Sequence, residues 1–152
     1  MLSLLFQLGD DRYALPASLI REVLPFVQAE ALPGTPPWLC GLLNCRGEQV
    51  PALDLARLLY GRPALEAITT RMILVDYPLP DGDSRPLALV AEHVTETRRL
   101  EPEGFADAGL NRSDSPHVCR TTRHEGRLVR LLSLDQLLPQ EVRDLLYYPE
   151  TA

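Results

Sequence analysis

The chain has 152 residues, of which 45% are hydrophobic and 24% charged, and its formal net charge is -6. This size and composition fit one globular domain that needs no disulfide or metal to fold. The acidic balance argues against a broad nucleic-acid-binding face. All 15 basic residues are arginine, which excludes lysine chemistry such as a phosphate-binding loop of the G-x-x-x-x-G-K-[ST] type or a Schiff base.

The first residues of the chain predict a β-hairpin. The runs SLLFQL and RYALP flank Gly9-Asp10-Asp11, and two apolar runs around such residues predict a β-hairpin. This N-terminus has no basic region, so it is interpreted as a strand and not as a signal peptide. Residues 17–24 predict a helical turn that runs into a strand, and Pro25 prevents a longer helix.

A second hairpin is predicted in the following segment. The loop LPGTPPW precedes residues 39–44, and residues 50–53 return after a tight turn near Arg46-Gly47-Glu48. A short helix, LARLLYG, is expected next. Asp54 is its predicted N-cap and Gly61 its C-terminal stop.

The second half of the chain is also rich in strands. Residues 101–116 predict a long polar loop. A C-terminal helix is predicted from the apolar spacing of residues 134–147, with an early interruption at Pro139. Strands are predicted over residues 69–77, 87–91, 93–100, 118–123 and 128–132, the last two as a third hairpin around His124 to Gly126.

About nine short strands separated by turns favour a mostly β sandwich or barrel over a βαβ sheet. We predict a single domain over residues 1–152 that contains two small barrels sharing one core. The two strand-rich parts divide near residue 65, into residues 1–65 and 66–152. Short helices, including the C-terminal one, complete the predicted fold.

Motifs for chemistry are sparse. His117, Cys119 and His124 could be imagined around a metal, but no C-x-x-C or H-E-x-x-H pattern supports a site, so no metal and no cofactor are predicted. Cys40 and Cys45 are five residues apart in a strand and are expected on opposite faces. There is no G-x-S-x-G elbow. A small hydrolase using His117 or His124 remains an alternative, as does a regulatory domain that binds a ligand between the two halves.

The ordered series of short motifs resembles the CheW family of chemosensory coupling proteins. The resemblance covers nearly the whole chain and is weakest over residues 101–117. The matching elements are F-x-L-G-x-x-x-Y-A-L-P, an E-V-L segment, L-P-G-x-P, G-L-L-N-x-R-G, V-P-A-L-D-L, ALVAEHVTE and the closing LVRLLSLDQLL.

The resemblance implies two small SH3-like β-barrel subdomains and an adaptor that catalyses nothing. It implies that the chain couples a methyl-accepting chemoreceptor to a CheA-like histidine kinase. Receptor contact would fall on Ile20, Asn44, Arg46 and Gly47, and kinase contact on Glu22 and Gly41. The partners would be proteins and not nucleic acid.

Location follows from the same reasoning. Three cysteines without a secretory signal suggest reduced thiols, and no apolar run reaches the roughly 18 residues of a membrane span. We therefore expect a cytoplasmic protein that reaches a membrane only through its receptor.

The proposed contact surface also departs from the family pattern. Cys45 and Glu48-Gln49 stand where the family usually has apolar residues, and Ala91-Glu92 stands where Val-Asp is common. These departures suggest a different receptor partner, or a variant adaptor of the WspB-like kind. From the residues alone, an arginine at a tight turn can be held outward, where its planar fork can bind carboxylates or carbonyls on a partner.

Overall fold

The computed structural model describes residues 1–79, 82–107, 118–138 and 143–144. These residues form one α-helix, α1 (Leu55–Tyr60), and ten strands. The strands are β1 (Leu2–Leu8), β2 (Asp11–Pro16), β3 (Ile20–Pro25), β4 (Leu39–Cys45), β5 (Glu48–Asp54), β6 (Arg71–Pro78), β7 (Ser84–Arg99), β8 (Ala106–Asp107), β9 (Val118–His124) and β10 (Arg127–Leu132). The predicted mostly β class is confirmed.

The strands form two sheets, which we call subdomain A and subdomain B. In subdomain A the order is β7-β1-β2-β10-β9-β8, and in subdomain B it is β3-β6-β7-β5-β4. Most pairs are antiparallel, while β10 pairs with β2 and β5 with β7 in parallel. Strand β7 is long enough, at 16 residues, to serve both sheets.

Strand β7 joins two strands that the sequence pattern separates. Residues 84–91 pair with β6 in subdomain B, and residues 92–99 pair with β1 in subdomain A. The register against β1 shifts near the crossover, and His93 there has a φ of 49°. A β-bulge bends a strand without ending it, so the predicted strands 87–91 and 93–100 are one bent strand.

The division of the strands between the sheets differs from the predicted boundary near residue 65. Strands β1 and β2 lie in subdomain A with β8, β9 and β10, whereas β6 and the first half of β7 lie in subdomain B. The two sheets therefore interleave along the chain. The reason is that strand pairing is decided by tertiary contacts, and β1 finds its partner more than 80 residues away, as in the pair Gln7 and Glu92.

A single apolar cluster lies between the two sheets. It takes Phe6 and Leu15 from subdomain A together with Leu53 and Val75 from subdomain B, all fully buried. Burial of such side chains is the main favourable term in folding. A second, smaller cluster fills subdomain B alone around Met72 and Val50. The predicted shared core is present.

The helix cap, the helix end and the hairpin turns that the sequence predicts are present in the structure. Asp54 caps α1 by accepting a hydrogen bond from the Arg57 N–H at 3.1 Å, and Gly61 ends the helix with a left-handed φ of 72°. All three predicted hairpins form, and the third turns at Glu125 and Gly126 with φ of 53° and 75°. Two positive φ values suit the twist of a two-residue hairpin turn.

The C-terminal part is described only in pieces. A short 3₁₀ turn spans Leu134–Gln136, and residues 143–144 are helical. Residues 139–142 and 145–147 of the predicted helix over 134–147 lie outside the described residues. So do residues 108–116 of the predicted long loop, and the neighbouring His117. Within the part of this loop that is described, Pro102–Gly104 form a 3₁₀ turn and β8 pairs with β9.

The expectation for the first two cysteines was wrong. Cys40 and Cys45 both pack against the smaller cluster in subdomain B. The register between β4 and β5 shifts between Leu39 and Gly41, which makes Cys40 the extra residue of a bulge. One inserted residue reverses the alternation of faces that simple counting assumes.

No helix among the described residues combines the length and the apolar character that crossing a membrane requires.

Candidate functional site

The candidate site is built on the turn between β4 and β5. Arg46 and Gly47 occupy the turn with φ of 52° and 86°. Glycine adopts such angles freely, whereas arginine does so at a steric cost. The Asn44 side chain supports the turn, because its Oδ1 accepts a hydrogen bond from the Gly47 N–H at 2.9 Å. Asn44 and Gly47 therefore build the turn that holds Arg46 outward.

Arg46 reaches from this turn to strand β3. Its Nη1 and Nη2 each lie 2.9 Å from an oxygen of the Glu22 carboxylate, which is a two-point ion pair. The Arg46 side chain is 75% exposed and that of Glu22 is 33% exposed. The hydrogen bond and the charge of Glu22 raise the pKa of Arg46. The pair links two segments that are 24 residues apart in sequence.

A second ion-paired group lies beside the first. The Arg21 Nε is 2.5 Å from Asp76 Oδ1 on β6, and its Nη1 is 4.0 Å from Glu48 Oε2 on β5. Glu48 is one of the residues at which the sequence departs from the family pattern. The two arginines thus bridge β3 to the β4–β5 hairpin, and the surface carries both signs of charge.

Ile20 lies at the start of β3, where it pairs with Val75 of β6. It is half-buried and packs against the cluster between the two sheets. The register of β3 shifts between Ile20 and Glu22. Ile20 is therefore a rim residue of the apolar core near the charged turn.

Gly41 differs from the other predicted site residues because it is buried. Its φ is 137°, and a Cβ there would lie 1.8 Å from the Glu30 carbonyl oxygen. Glu30 and Leu42 exchange two backbone hydrogen bonds of 2.9 and 2.8 Å. Gly41 therefore lets the segment that follows β3 lie along the edge of β4. A buried glycine offers no side-chain surface, so a part of Gly41 in the predicted kinase contact would be indirect, through the segment that it positions.

A groove beside the turn was not anticipated from the sequence. It has a volume of about 330 Å³ and is lined by Val27, Gln28, Glu30, Leu42, Leu43, Asn44 and Gln49. Val27 is 53% exposed. The segment that contains Val27 has no strand pattern. It lies against the hairpin through the Glu30–Leu42 bridge, which the clearance at Gly41 permits. The requirement for glycine at position 41 becomes evident only once the Glu30–Leu42 bridge is known.

A second cavity, of about 240 Å³, lies in subdomain B and is lined in part by Val27, Cys40, Leu65 and Met72. Burial raises the pKa of the Cys40 thiol to about 11, and the nearby Asp54 adds to the rise. A thiol with so high a pKa is a poor nucleophile. Among the described residues, no three His, Cys, Asp or Glu side chains are grouped to hold a metal ion.

Fold and site together define a small two-barrel β module whose exposed feature is an ion-paired turn. The model of the CheW-like domain family matches residues 3–142. The chain therefore belongs to the CheW-like domain family, and members of this family are scaffolds of chemotaxis signalling and not enzymes.

Individual relatives agree with this assignment. The chemotaxis protein CheW of Rhizobium meliloti is 26% identical over 144 residues, which cover 91% of this chain and 88% of that protein. Protein FrzA of Myxococcus xanthus is 36% identical over 69 residues, or 45% of this chain and 43% of FrzA. The scaffolding protein TtCheW from Thermoanaerobacter tengcongensis has the same fold, with a TM-score of 0.80, 21% identity, and coverage of 91% of this chain and 87% of that one.

Proposed function

We propose that this chain couples a methyl-accepting chemoreceptor to a CheA-like histidine kinase in the bacterial cytoplasm, without a cofactor. The observation that carries the proposal is the exposed, two-point Glu22–Arg46 ion pair at the tip of the β4–β5 hairpin. Such a pair presents a fixed cation to a partner. The family of scaffolds to which the chain belongs supplies the signalling context.

The receptor contact is proposed at Arg46, with Asn44, Gly47 and Ile20 around it. A guanidinium has five N–H donors, and Glu22 uses two of them in the free protein. The three that remain can bind a carboxylate or backbone carbonyls on a receptor helix. Because Glu22 already orients the side chain, less rotamer entropy is lost on binding.

The kinase contact is proposed at Glu22 and at the segment that Gly41 positions. Gly41 would act indirectly, by allowing residues 26–31 to cover β4 and to expose Val27. Glu22 and Arg46 form one unit, so two partners that both needed this pair would compete. We expect each partner to use one side of the pair and its own neighbouring surface.

The choice of receptor is proposed to depend on Glu48 and Gln49. Both are exposed next to the turn, and Glu48 lies 4.0 Å from the Arg21 guanidinium. An acidic and an amide side chain at this position would favour a receptor surface with donors in place of apolar groups. Such a preference would make the chain a variant adaptor, for example of the WspB-like kind.

A charge swap separates a binding role of Arg46 from a purely internal one. Binding of the purified chain to the receptor's cytoplasmic fragment and to the kinase would be measured by titration calorimetry. We expect Arg46→Glu to abolish receptor binding. The double variant Glu22→Arg with Arg46→Glu restores an internal pair with the charges reversed, and we expect it to remain inactive toward the receptor.

Arg98→Glu is the matched control, because Arg98 is also exposed and ion-paired but lies on β7 in subdomain A, away from the proposed contact. It should leave most receptor affinity intact. Full recovery of binding in the double variant would show that the pair acts only within the chain. Absence of binding between the unmodified chain and both partners would refute the adaptor function itself.

A further inference from the structure

A buried carboxylate lies at the point where β7 passes from one subdomain to the other. Glu92 is 1% exposed and is the first residue of β7 that pairs in subdomain A. A buried carboxylate is costly unless it is paired and hydrogen-bonded. Its two oxygens accept four hydrogen bonds among the described residues, and these come from both subdomains.

On one side, Glu92 holds the connection between α1 and β6 in subdomain B. The Arg62 Nη1 and Nη2 donate to the two carboxylate oxygens at 2.9 and 3.1 Å, and the Leu65 N–H donates at 2.7 Å. On the other side it holds the β1–β2 turn of subdomain A, because the Gly9 N–H donates to Oε1 at 3.0 Å. One carboxylate therefore connects three separate segments.

The first hairpin and the end of α1 make a second polar contact nearby. The Tyr60 hydroxyl, at the end of α1, donates to Asp11 Oδ2 at 2.6 Å and lies 2.6 Å from the Tyr13 hydroxyl. The turn is also close to the arginine itself, since a Cβ on Gly9 would lie 3.1 Å from Arg62 Nη2. The contact between the first hairpin and the segment from α1 to β6 thus includes several polar, directional contacts beside its apolar packing.

We infer that Glu92 is a positioning residue that fixes the orientation of subdomain A relative to subdomain B. The apolar cluster between the sheets holds them together but is not directional. Charge-assisted hydrogen bonds with defined geometry select one arrangement. The partner contacts of the proposed function all lie on subdomain B, so, as a consequence that rests on that function, this clamp would set the position of subdomain A relative to the bound partners.

The orientation can be measured on the isolated chain. Spin labels are attached through a ketone-bearing unnatural amino acid at positions 49 and 123, which are exposed and lie in subdomains B and A. The native thiols then stay unmodified. Electron–electron double resonance gives the distance distribution, and amide exchange by NMR reports the hydrogen bonds of Gly9 and Leu65.

For the unmodified chain we expect one narrow distance distribution. Glu92→Leu should broaden or shift it, and exchange of the Gly9 and Leu65 amides should accelerate by about tenfold or more, as expected for loss of hydrogen bonds to a charged group. Should Glu92→Leu fail to fold, the isosteric Glu92→Gln removes the charge with little change of volume, and the same two changes are expected in it.

Met72→Ala is the matched control, because it removes packing from the cluster confined to subdomain B. It should lower stability and leave the distance distribution unchanged. A folded Glu92→Gln or Glu92→Leu variant with the distribution of the unmodified chain would overturn the inference, even if the two amides exchanged faster. None of these outcomes depends on receptor or kinase binding, so failure of the clamp and failure of the adaptor function are distinguishable.

Discussion

The molecule contains two arginine–glutamate pairs with almost the same geometry in opposite surroundings. Arg46 binds Glu22 through two 2.9 Å contacts, with side chains 75% and 33% exposed. Arg62 binds Glu92 at 2.9 and 3.1 Å, with side chains 37% and 1% exposed. Exposed pairs contribute little to stability because water and salt screen them, so the first pair is free to serve a partner.

The buried pair differs in the number of hydrogen bonds that its carboxylate accepts. Glu92 also accepts hydrogen bonds from two backbone N–H groups, and removal of the carboxylate would leave both without their acceptor. Burial by itself would raise the pKa of Glu92, but the hydrogen bonds from Arg62, Leu65 and Gly9 outweigh it and lower the pKa to about 2. The same type of arginine–glutamate pair is thus buried within the fold at Arg62–Glu92 and exposed at the surface at Arg46–Glu22.

The largest effect should come from neutralising the buried carboxylate. Glu92→Gln is expected to lower the free energy of unfolding at pH 7 by about 2–3 kcal/mol, since a buried charged network loses a partner while Arg62 can still turn to water. Urea denaturation followed by circular dichroism measures this. Glu22→Gln is the control at the exposed pair and should move the urea midpoint far less. Equal losses in the two variants would remove the distinction between the pairs.

The pH dependence of stability should follow the same carboxylate. Its folded pKa of about 2 lies below the ordinary value near 4.5, so its contribution is fully present above pH 4.5 and is lost as the pH falls toward 2. The shift corresponds to about 3 kcal/mol. Unfolding free energies of the unmodified chain and of Glu92→Gln should therefore converge between pH 4.5 and pH 2. A constant difference over this range would contradict the assignment.

Exchange of arginine for lysine should sharpen the comparison further. Lysine keeps the charge but cannot form a two-point contact with a carboxylate. Arg62→Lys is expected to cost about 1 kcal/mol of stability, the net value of a hydrogen bond. Arg46→Lys should leave the denaturation curve unchanged but weaken receptor binding, which calorimetry would detect. Loss of stability in Arg46→Lys together with loss of receptor binding in Arg62→Lys would mean that the roles of the two pairs are exchanged.

The smallest effect concerns salt. Raising sodium chloride from 0.05 to about 0.5 M shortens the Debye length several-fold. We expect this change to weaken receptor binding through Arg46 while amide exchange at Gly9 and Leu65 stays nearly constant. Sodium sulfate would be avoided, because it also strengthens apolar association. Salt-sensitive protection of these two amides would show that water reaches the Glu92 cluster.

Local elements of the fold could be predicted from the sequence with good accuracy. The Asp54 cap, the Gly61 stop and the turn at Arg46-Gly47 depend on residues within four positions of each other, and short-range sterics and hydrogen bonding decide them. The candidate site was located for the same reason. Its family likeness, rather than its physics, supplied the expectation of a binding surface.

Bulges account for two of the departures from the sequence-based predictions. His93 and Cys40 lie at irregular pairings, and each changed an expectation that rested on simple alternation. An inserted residue can be recognised only when the partner strand is known. Gly41 gave no local sign of its role either, because the Glu30 carbonyl that requires it approaches from another segment.

The sequence by itself determined the strand-rich composition, the hairpins, the capped helix and the outward arginine at residue 46. Only the tertiary structure decided that β1 and β2 leave β3 to join β9 and β10, that Glu22 binds Arg46, and that Glu92 unites three segments at the crossover. The physical reason is the separation in sequence between the residues that interact. Turns and caps are settled by neighbours in the chain, whereas the partners of a buried charge or of a strand edge are chosen by the packing of residues that are distant in sequence.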